Sequence, residues 1–192
     1  PDGNLTEDYE YVVNGDYRYL YRTWNVPLLY NQDFNEPYIK LLEINGPYIP
    51  YVKDYYGKVY ASDYQSTIRS EAYRNEVGCF NPDGYEKGIY SIEYNYIIYP
   101  PVKHDDEFYH INLKLADEHV PYRSVAILID NSSGNIVKLY SHPPLSIKKQ
   151  EDRYMIEGKS QRNGIIELEM VLDSANPKFA YYEDEIMKNV IN

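Results

Sequence analysis

Apolar and polar residues alternate with a period of two along most of this chain, and tyrosine often fills the apolar positions, as at Tyr17, Tyr19 and Tyr21 or Tyr90, Tyr94 and Tyr96. That period places the rings on one face of a β-strand, where the aromatic body packs and the hydroxyl reaches water or a partner. Residues 5–13 set Tyr9, Tyr11 and Val13 against Asp8, Glu10 and Val12, and Asn14-Gly15 then leads into residues 17–24, which predicts a hairpin. Residues 39–44 read as a short apolar strand stopped by Asn45-Gly46-Pro47, and Pro50 with Tyr55-Tyr56-Gly57 predicts irregular surface structure. Residues 62–74 read as a polar strand rather than a helix, because Tyr64, Ser66, Ile68 and Ser70 form no helical stripe.

The clearest strand spans residues 88–99, with Tyr90, Ile92, Tyr94, Tyr96 and Ile98 on one face and Ser91, Glu93 and Asn95 on the other, ended by Pro100-Pro101. Residues 108–115, 124–130, 135–140, 153–157 and 164–172 follow as further strands, with a turn at Asn131-Ser132-Ser133-Gly134. The tail departs from this pattern: Tyr182, Ile186 and Val190 stand at helical spacing behind Glu183, Asp184 and Glu185, which the macrodipole favours near a helix start. Closely spaced strands without amphipathic helices between them predict an antiparallel sandwich.

Composition narrows the function classes. Thirty acidic residues against 19 Lys plus Arg give a net charge of −11, which repels phosphate backbones and disfavours nucleic acid as a partner. The single cysteine, Cys79, excludes an intramolecular disulfide scaffold and reads as an apolar filler. No stretch approaches the roughly 18 apolar residues that span a bilayer as a helix. The chain opens at Pro1 without an initiator methionine, so an excised or preceding segment is expected, and a membrane anchor is expected outside the chain.

The order of the pieces carries a resemblance. Asp2-Gly3-Asn4-Leu5 with Glu7, Gly15-Asp16-Tyr17 running to Arg22, and Gly88-Ile89-Tyr90-Ser91-Ile92-Glu93-Tyr94 form three of its elements. The fourth is Glu107-Phe108-Tyr109-His110-Ile111-Asn112 with Val120-Pro121-Tyr122-Arg123-Ser124-Val125. Together they resemble the extracytoplasmic domain of a family of predicted prokaryotic membrane proteins, domain of unknown function 2207. Tryptophans common in the fourth element would fall near His110 and His119, where this chain has none. The resemblance covers residues 2–172 and implies an outward-facing β-sandwich followed by transmembrane helix, with no established catalytic residues to carry over.

Candidate chemistry is sparse. His104 and His110 would share a strand face about 20 Å apart if the strand continues, too far to share one zinc ion, and His119 and His142 lack ligand-spaced companions. Asp105, Asp106 and Glu107 cluster, and Glu167 and Glu169 share a strand face, which keeps a carboxylate-dependent hydrolase among the alternatives; turns and solvent faces explain them as well. Residues 130–134 lack the alternating acids of a calcium loop. The sequons Asn4-Leu5-Thr6 and Asn131-Ser132-Ser133 are expected at accessible turns or strand edges.

The expectation is thus an all-β, immunoglobulin-like antiparallel β-sandwich with a short C-terminal helix, one domain over residues 1–192, of which 1–174 form the sandwich and 175–192 the tail. It is read as a non-enzymatic extracytoplasmic domain that acts by binding or assembly, without a cofactor or metal, and meets the membrane through a segment outside the chain. A carbohydrate-binding or adhesion module is the first alternative. Tyr17, Tyr19, Tyr21, Tyr55, Tyr56, Tyr60 and Tyr64 form the candidate surface for a protein or glycan partner, since strand alternation cannot bury them all.

Overall fold

The computed structural model describes residues 3–191; Pro1, Asn192 and Asp2, the first residue of the family-like opening, lie outside them. The chain divides into two compact units, residues 2–99 and 100–192, where a missing linker had predicted one domain. The division falls at Pro100-Pro101, the pair that ends the clearest strand. Strands account for 57% of the chain and helix for 6%, so the all-β expectation holds.

The N-terminal unit has three layers. Its first sheet orders β1 (Gly3–Val13), β8 (Gly88–Tyr99), β4 (Tyr38–Asn45) and β3 (Leu28–Tyr30). Its second orders β2 (Tyr17–Thr23), β7 (Glu76–Tyr85), β5 (Ile49–Lys53) and β6 (Val59–Ala61). Among the described residues of this unit only β3 and β4 run parallel. Glu7 on β1 reaches Arg22 on β2, and the Tyr11 hydroxyl donates to the Tyr21 carbonyl, so the sheets face one another. Ile92, Tyr94 and Tyr96 are almost fully buried on the inner face of β8, and Ile98 is 9% exposed, as the alternation requires. The opposite face of the second sheet is covered by α1 (Gln65–Glu71), whose Ile68 and the following Ala72 pack on Tyr51, Val59 and Phe80.

Three local expectations are overturned here. β1 and β2 form no hairpin: β1 pairs with β8 and β2 with β7, so the Asn14-Gly15 turn hands the chain from one sheet to the other. Both strands carry inner faces that meet across the core, which pairing side by side would separate. Residues 65–71 are helical rather than extended, because Ile68 and Ala72, four apart, are the buried pair. Residues 49–53, read as irregular because of Pro50, form β5 between β7 and β6. Pro50 pairs only with Cys79 on the β7 side, since β6 reaches no further than Tyr51, so proline sits at a local sheet edge.

β7 has no counterpart in the sequence reading. It is buried on both faces from Glu76 to Phe80, which erases the period of two, and its Asn81-Pro82-Asp83-Gly84 segment is absorbed as an irregularity between the Tyr17–Tyr85 and Tyr19–Phe80 pairs. Gly78 permits the close approach of β2, for a Cβ there would lie 2.3 Å from the Leu20 carbonyl oxygen.

The C-terminal unit pairs a five-stranded sheet, ordered β12 (Ile136–His142), β15 (Ile166–Leu172), β10 (Tyr109–Ala116), β9 (Val102–His104) and β16 (Ala180–Tyr182), with a three-stranded one, ordered β11 (Tyr122–Asp130), β14 (Arg153–Ser160) and β13 (Ser146–Lys149). Ile136, Met170 and Leu172 from the first sheet and Tyr154 from the second form one cluster, with Ile111, Leu113, Ile129 and Ile147 packed against it. β16 runs parallel to β9, and the other pairs are antiparallel. α2 (Ile186–Ile191) supplies the expected terminal helix, one turn later than predicted because residues 180–182 join the sheet. No helix among the described residues is long and apolar enough to cross a membrane.

Candidate functional site

The seven candidate tyrosines separate into three places in the N-terminal unit. Tyr19 and Tyr21 lie on the face of the second sheet that carries α1. Tyr19 is half-buried, with its ring 4.6 Å from Phe80 and edge-on to Tyr51, and its hydroxyl donates to Glu71 Oε2 at 2.6 Å. Arg18 Nη2 bonds both oxygens of the same carboxylate. Burial, then Glu71, raises the Tyr19 phenol well above its ordinary pKa, so it stays a donor. Tyr21 is exposed beside Tyr73, ring centroids 6.2 Å apart; Tyr73 was not anticipated as part of this surface, because it belongs to the turn that ends α1. Tyr64 precedes α1 in a left-handed conformation (φ 55°) and rests its ring edge on Phe80, while Tyr17 is exposed at the start of β2.

Beneath Tyr21 and Tyr73 lies a buried carboxylate. Glu76 accepts the Tyr51 hydroxyl at 2.5 Å and the Tyr73 backbone N–H at 2.9 Å. Burial raises its pKa, and these hydrogen bonds together with Lys53 only partly oppose that. Lys53 itself donates to the Arg69 and Ala72 carbonyls at the end of α1. The tyrosines around α1 are therefore carried by a fixed network of donors and acceptors.

The second place is the turn after β5. Asp54 is 1% exposed and its Oδ1 accepts the backbone N–H groups of Tyr56 and Lys58, both at 2.9 Å, while its own N–H donates to the Lys58 carbonyl. Gly57 closes the turn at φ 81°, a conformation that glycine adopts without strain. This tie presents Tyr55 and Tyr56, the latter 59% exposed, with their rings 5.3 Å apart and Phe34 packed against both. The rings are steeply inclined: Tyr55 to Tyr56 by 66° and Phe34 to Tyr56 by 82°. Tyr38 stacks on Tyr99 behind Phe34 and donates to Asp33, and burial, then Asp33, pushes its phenol up to about 12.

Tyr60 is the third. It pairs with Val52 on β5, is half-buried against Tyr30, and has the Lys58 ammonium 4.7 Å from its ring centroid. Its strand is the far edge of the sheet from β2, so it shares no surface with Tyr17 or Tyr21. Two depressions, of about 520 and 430 Å³, open on this unit, one lined with Asp8, Glu10 and Glu93 and the other, beside Tyr17, with Asp16, Asp83 and Glu86 together with Arg18. The wholly acidic charge of the first repels anionic ligands.

The C-terminal unit brings together groups that spacing had kept apart. The chain folds back between β9 and β10, pairing His104 with Tyr109, so the extended strand assumed for His104 and His110 does not exist. His110 and His142, on β10 and β12, both donate from Nε2 to Glu169 on β15, at 2.8 and 3.1 Å. Glu167 accepts from Asn112. The cluster is built from three strands that are remote in sequence, and no local motif could announce it. No group of three or more His, Cys, Asp or Glu among the described residues is arranged to hold a metal ion.

Asp105 ties the β9–β10 turn to the tail. Its Oδ1 accepts the backbone N–H groups of Glu107 and Phe108, and its Oδ2 accepts that of Ile186 at the start of α2. Burial opposes ionisation there, but these bonds outweigh it and lower the pKa. Asn131, expected to be accessible as a sequon, is 7% exposed with its Oδ1 bonded to the Ile136 N–H, because it anchors the turn. Asn4 stands on the exposed face of β1.

No match was found among curated proteins or solved structures. A family model described as the N-terminal domain of predicted membrane proteins (DUF2207) matches residues 1–172, which takes in all the strands from β1 to β15 and every candidate tyrosine. The chain belongs to this family of predicted membrane protein N-terminal domains.

Proposed function

We propose that the chain is a non-enzymatic binding domain on the extracytoplasmic face of a membrane-anchored protein, and that its N-terminal unit receives a protein partner on the Tyr55-Tyr56 turn and the tyrosines around α1. The observation that carries this reading is the Asp54 tie, which fixes two exposed rings on a backbone already ordered before binding. Rings held in place lose little entropy on association, which is why tyrosine is favoured at interfaces. The ring inclinations of 66° and 82° favour protein over glycan: inclined rings make clefts for side chains, whereas a pyranose face rests best on a flat platform. The immunoglobulin-like description belongs to the same proposal; facing sheets support it, and the parallel pairs β3–β4 and β9–β16 depart from it.

The test uses the full-length protein in its own membrane. A photoreactive phenylalanine analogue in place of Tyr56 is expected to give a discrete protein adduct that Tyr55→Ala diminishes, whereas the analogue at Glu10, on the outer face of β1, gives none. Equal adducts at the two positions, or saturable oligosaccharide binding that Tyr56→Ala abolishes, would overturn the reading.

A further inference from the structure

Among the described residues four sheets present eight edges, and seven of them are protected. β3, β6 and β16 are three residues long. β1 carries Glu7, Asp8 and Glu10; β2 carries Arg18 and Arg22; β12 carries Lys138; and β13 ends in Lys148-Lys149. Short length and charge are the devices that keep an edge from recruiting another strand. β11 is the exception. Among the described residues it pairs only with β14, and although Arg123 and Asp130 stand near its two ends, the run Val125-Ala126-Ile127-Leu128-Ile129 between them, longer than any uncharged run on the other edges, contains no charge, proline or glycine.

The side chains show the same gap. Ile156 of β14 is fully buried and Tyr154 nearly so, yet their partners Ile127 and Ile129, on the same core-facing side, remain half-exposed, and Val125 likewise. Leu128 on the outer face is 56% exposed. A core that is closed over β14 and open over β11 lacks the strand that would lie next to β11.

The geometry points to a second copy of this chain as the occupant, through antiparallel pairing of β11 with its own counterpart about a two-fold axis. Centred on Ile127, this register sets Val125 against Ile129, Ala126 against Leu128 and Ser124 against Asp130, so no like charges meet. It joins two three-stranded sheets into six and covers the half-exposed core residues. The remaining edge, β13, is guarded by its lysines, so association closes at the dimer. The tyrosine surface lies in the other unit, and neither proposal depends on the other.

Sedimentation velocity and crosslinking test this on the 192-residue chain. Dimer is expected, and the pair Ala126→Lys with Leu128→Lys, both at exposed outer positions, would place lysine opposite lysine twice and weaken dimerisation by at least about tenfold while the thermal midpoint of the monomer holds. Ile127→Cys should oxidise to a covalent dimer, since residues opposite each other across an antiparallel pair lie about 4.5 to 5.5 Å apart at Cα, within disulfide reach. Leu128→Cys, though more exposed, should crosslink far less. Cys79 adds no background, being buried with its thiol pushed up to about 12 by burial. A monomer at about 100 μM, a dimer that survives the double lysine change, or equal crosslinking from positions 127 and 128 would each overturn the pairing.

Discussion

Removing both members of the Arg22–Glu7 pair should destabilise the N-terminal unit far less than the two single removals added together. The two side chains are 7% and 12% exposed and meet at 2.8 Å between the facing sheets. Arg22 Nε also bonds both Glu7 oxygens, its Nη1 donates to the Thr23 carbonyl, and its guanidinium lies 3.3 Å from the Trp24 ring centroid. Burial works against the guanidinium's charge, but Glu7 outweighs it and raises the Arg22 pKa, so the guanidinium stays charged in the folded state. Arg22→Met leaves the Glu7 carboxylate in the core with the Tyr96 hydroxyl, 3.2 Å away, as its remaining described donor. An orphaned buried charge costs about 3 to 5 kcal/mol, so Arg22→Met and Glu7→Leu, taken singly, sum to roughly 6 to 10. The double change leaves only the neutral Tyr96 hydroxyl and Thr23 carbonyl short of partners, about 1 to 3 kcal/mol each at most, partly offset by the apolar replacements. The middle of these ranges, about 8 against about 4, gives a coupling on the order of 4 kcal/mol. Urea unfolding followed by fluorescence of Trp24, the chain's one tryptophan, reads the unit that holds the pair and avoids assuming that both units melt together. Additive single effects would refute the argument and show that water reaches the pair.

Other outcomes are equally specific. Ile92→Ala should cost about 2 to 5 kcal/mol and Ser91→Ala less than about 0.5, because Ile92 is 1% exposed and Ser91 faces solvent; equal costs in urea unfolding would mean that the register of β8 is wrong. The Glu76 pKa is raised in the folded state, so its contribution is fully present below the unfolded value near 4.5 and is lost as pH rises through the folded one. Glu76→Gln should therefore gain in stability relative to the parent as pH climbs from 4 towards neutrality, and a pH-independent difference would count against that sign.

The sequence revealed faces better than partners. Alternation in β1 and β8 named the inner faces, since each strand has one wet face and the period survives, although Tyr90 on β8 and Tyr9 and Tyr11 on β1 are only half-buried. β7 was invisible because both its faces are covered, and α1 because a single buried isoleucine in seven residues makes no stripe. Asn14-Gly15 marked a real turn but could not tell a hairpin from a crossing between sheets, a difference set by which residues lie opposite β1 some 80 positions later. The candidate tyrosines were legible as a surplus, but their separation into three places follows from sheet order, which no local pattern records.

The acids and the thiol bear on catalysis through what they already hold. A general acid or base needs a carboxylate free to exchange a proton with substrate, and a nucleophile needs a lowered pKa or an adjacent base. Glu7 is engaged by Arg22, Asp54 by two backbone N–H groups, Glu76 by Tyr51 and the Tyr73 N–H, and Asp105 by three backbone N–H groups. Burial drives the Cys79 thiol away from the thiolate. Glu169 is the strongest remaining candidate, since two imidazoles meet it on a partly open face. Its two oxygens each accept from a different ring, which holds the carboxylate between β10 and β12 as a structural tie. Incubation of the chain with oligosaccharide, ester and peptide substrates is therefore expected to give no turnover. Turnover lost in Glu169→Gln and His110→Asn with the fold intact by circular dichroism would place a hydrolase on the outer face of the five-stranded sheet and displace the binding reading.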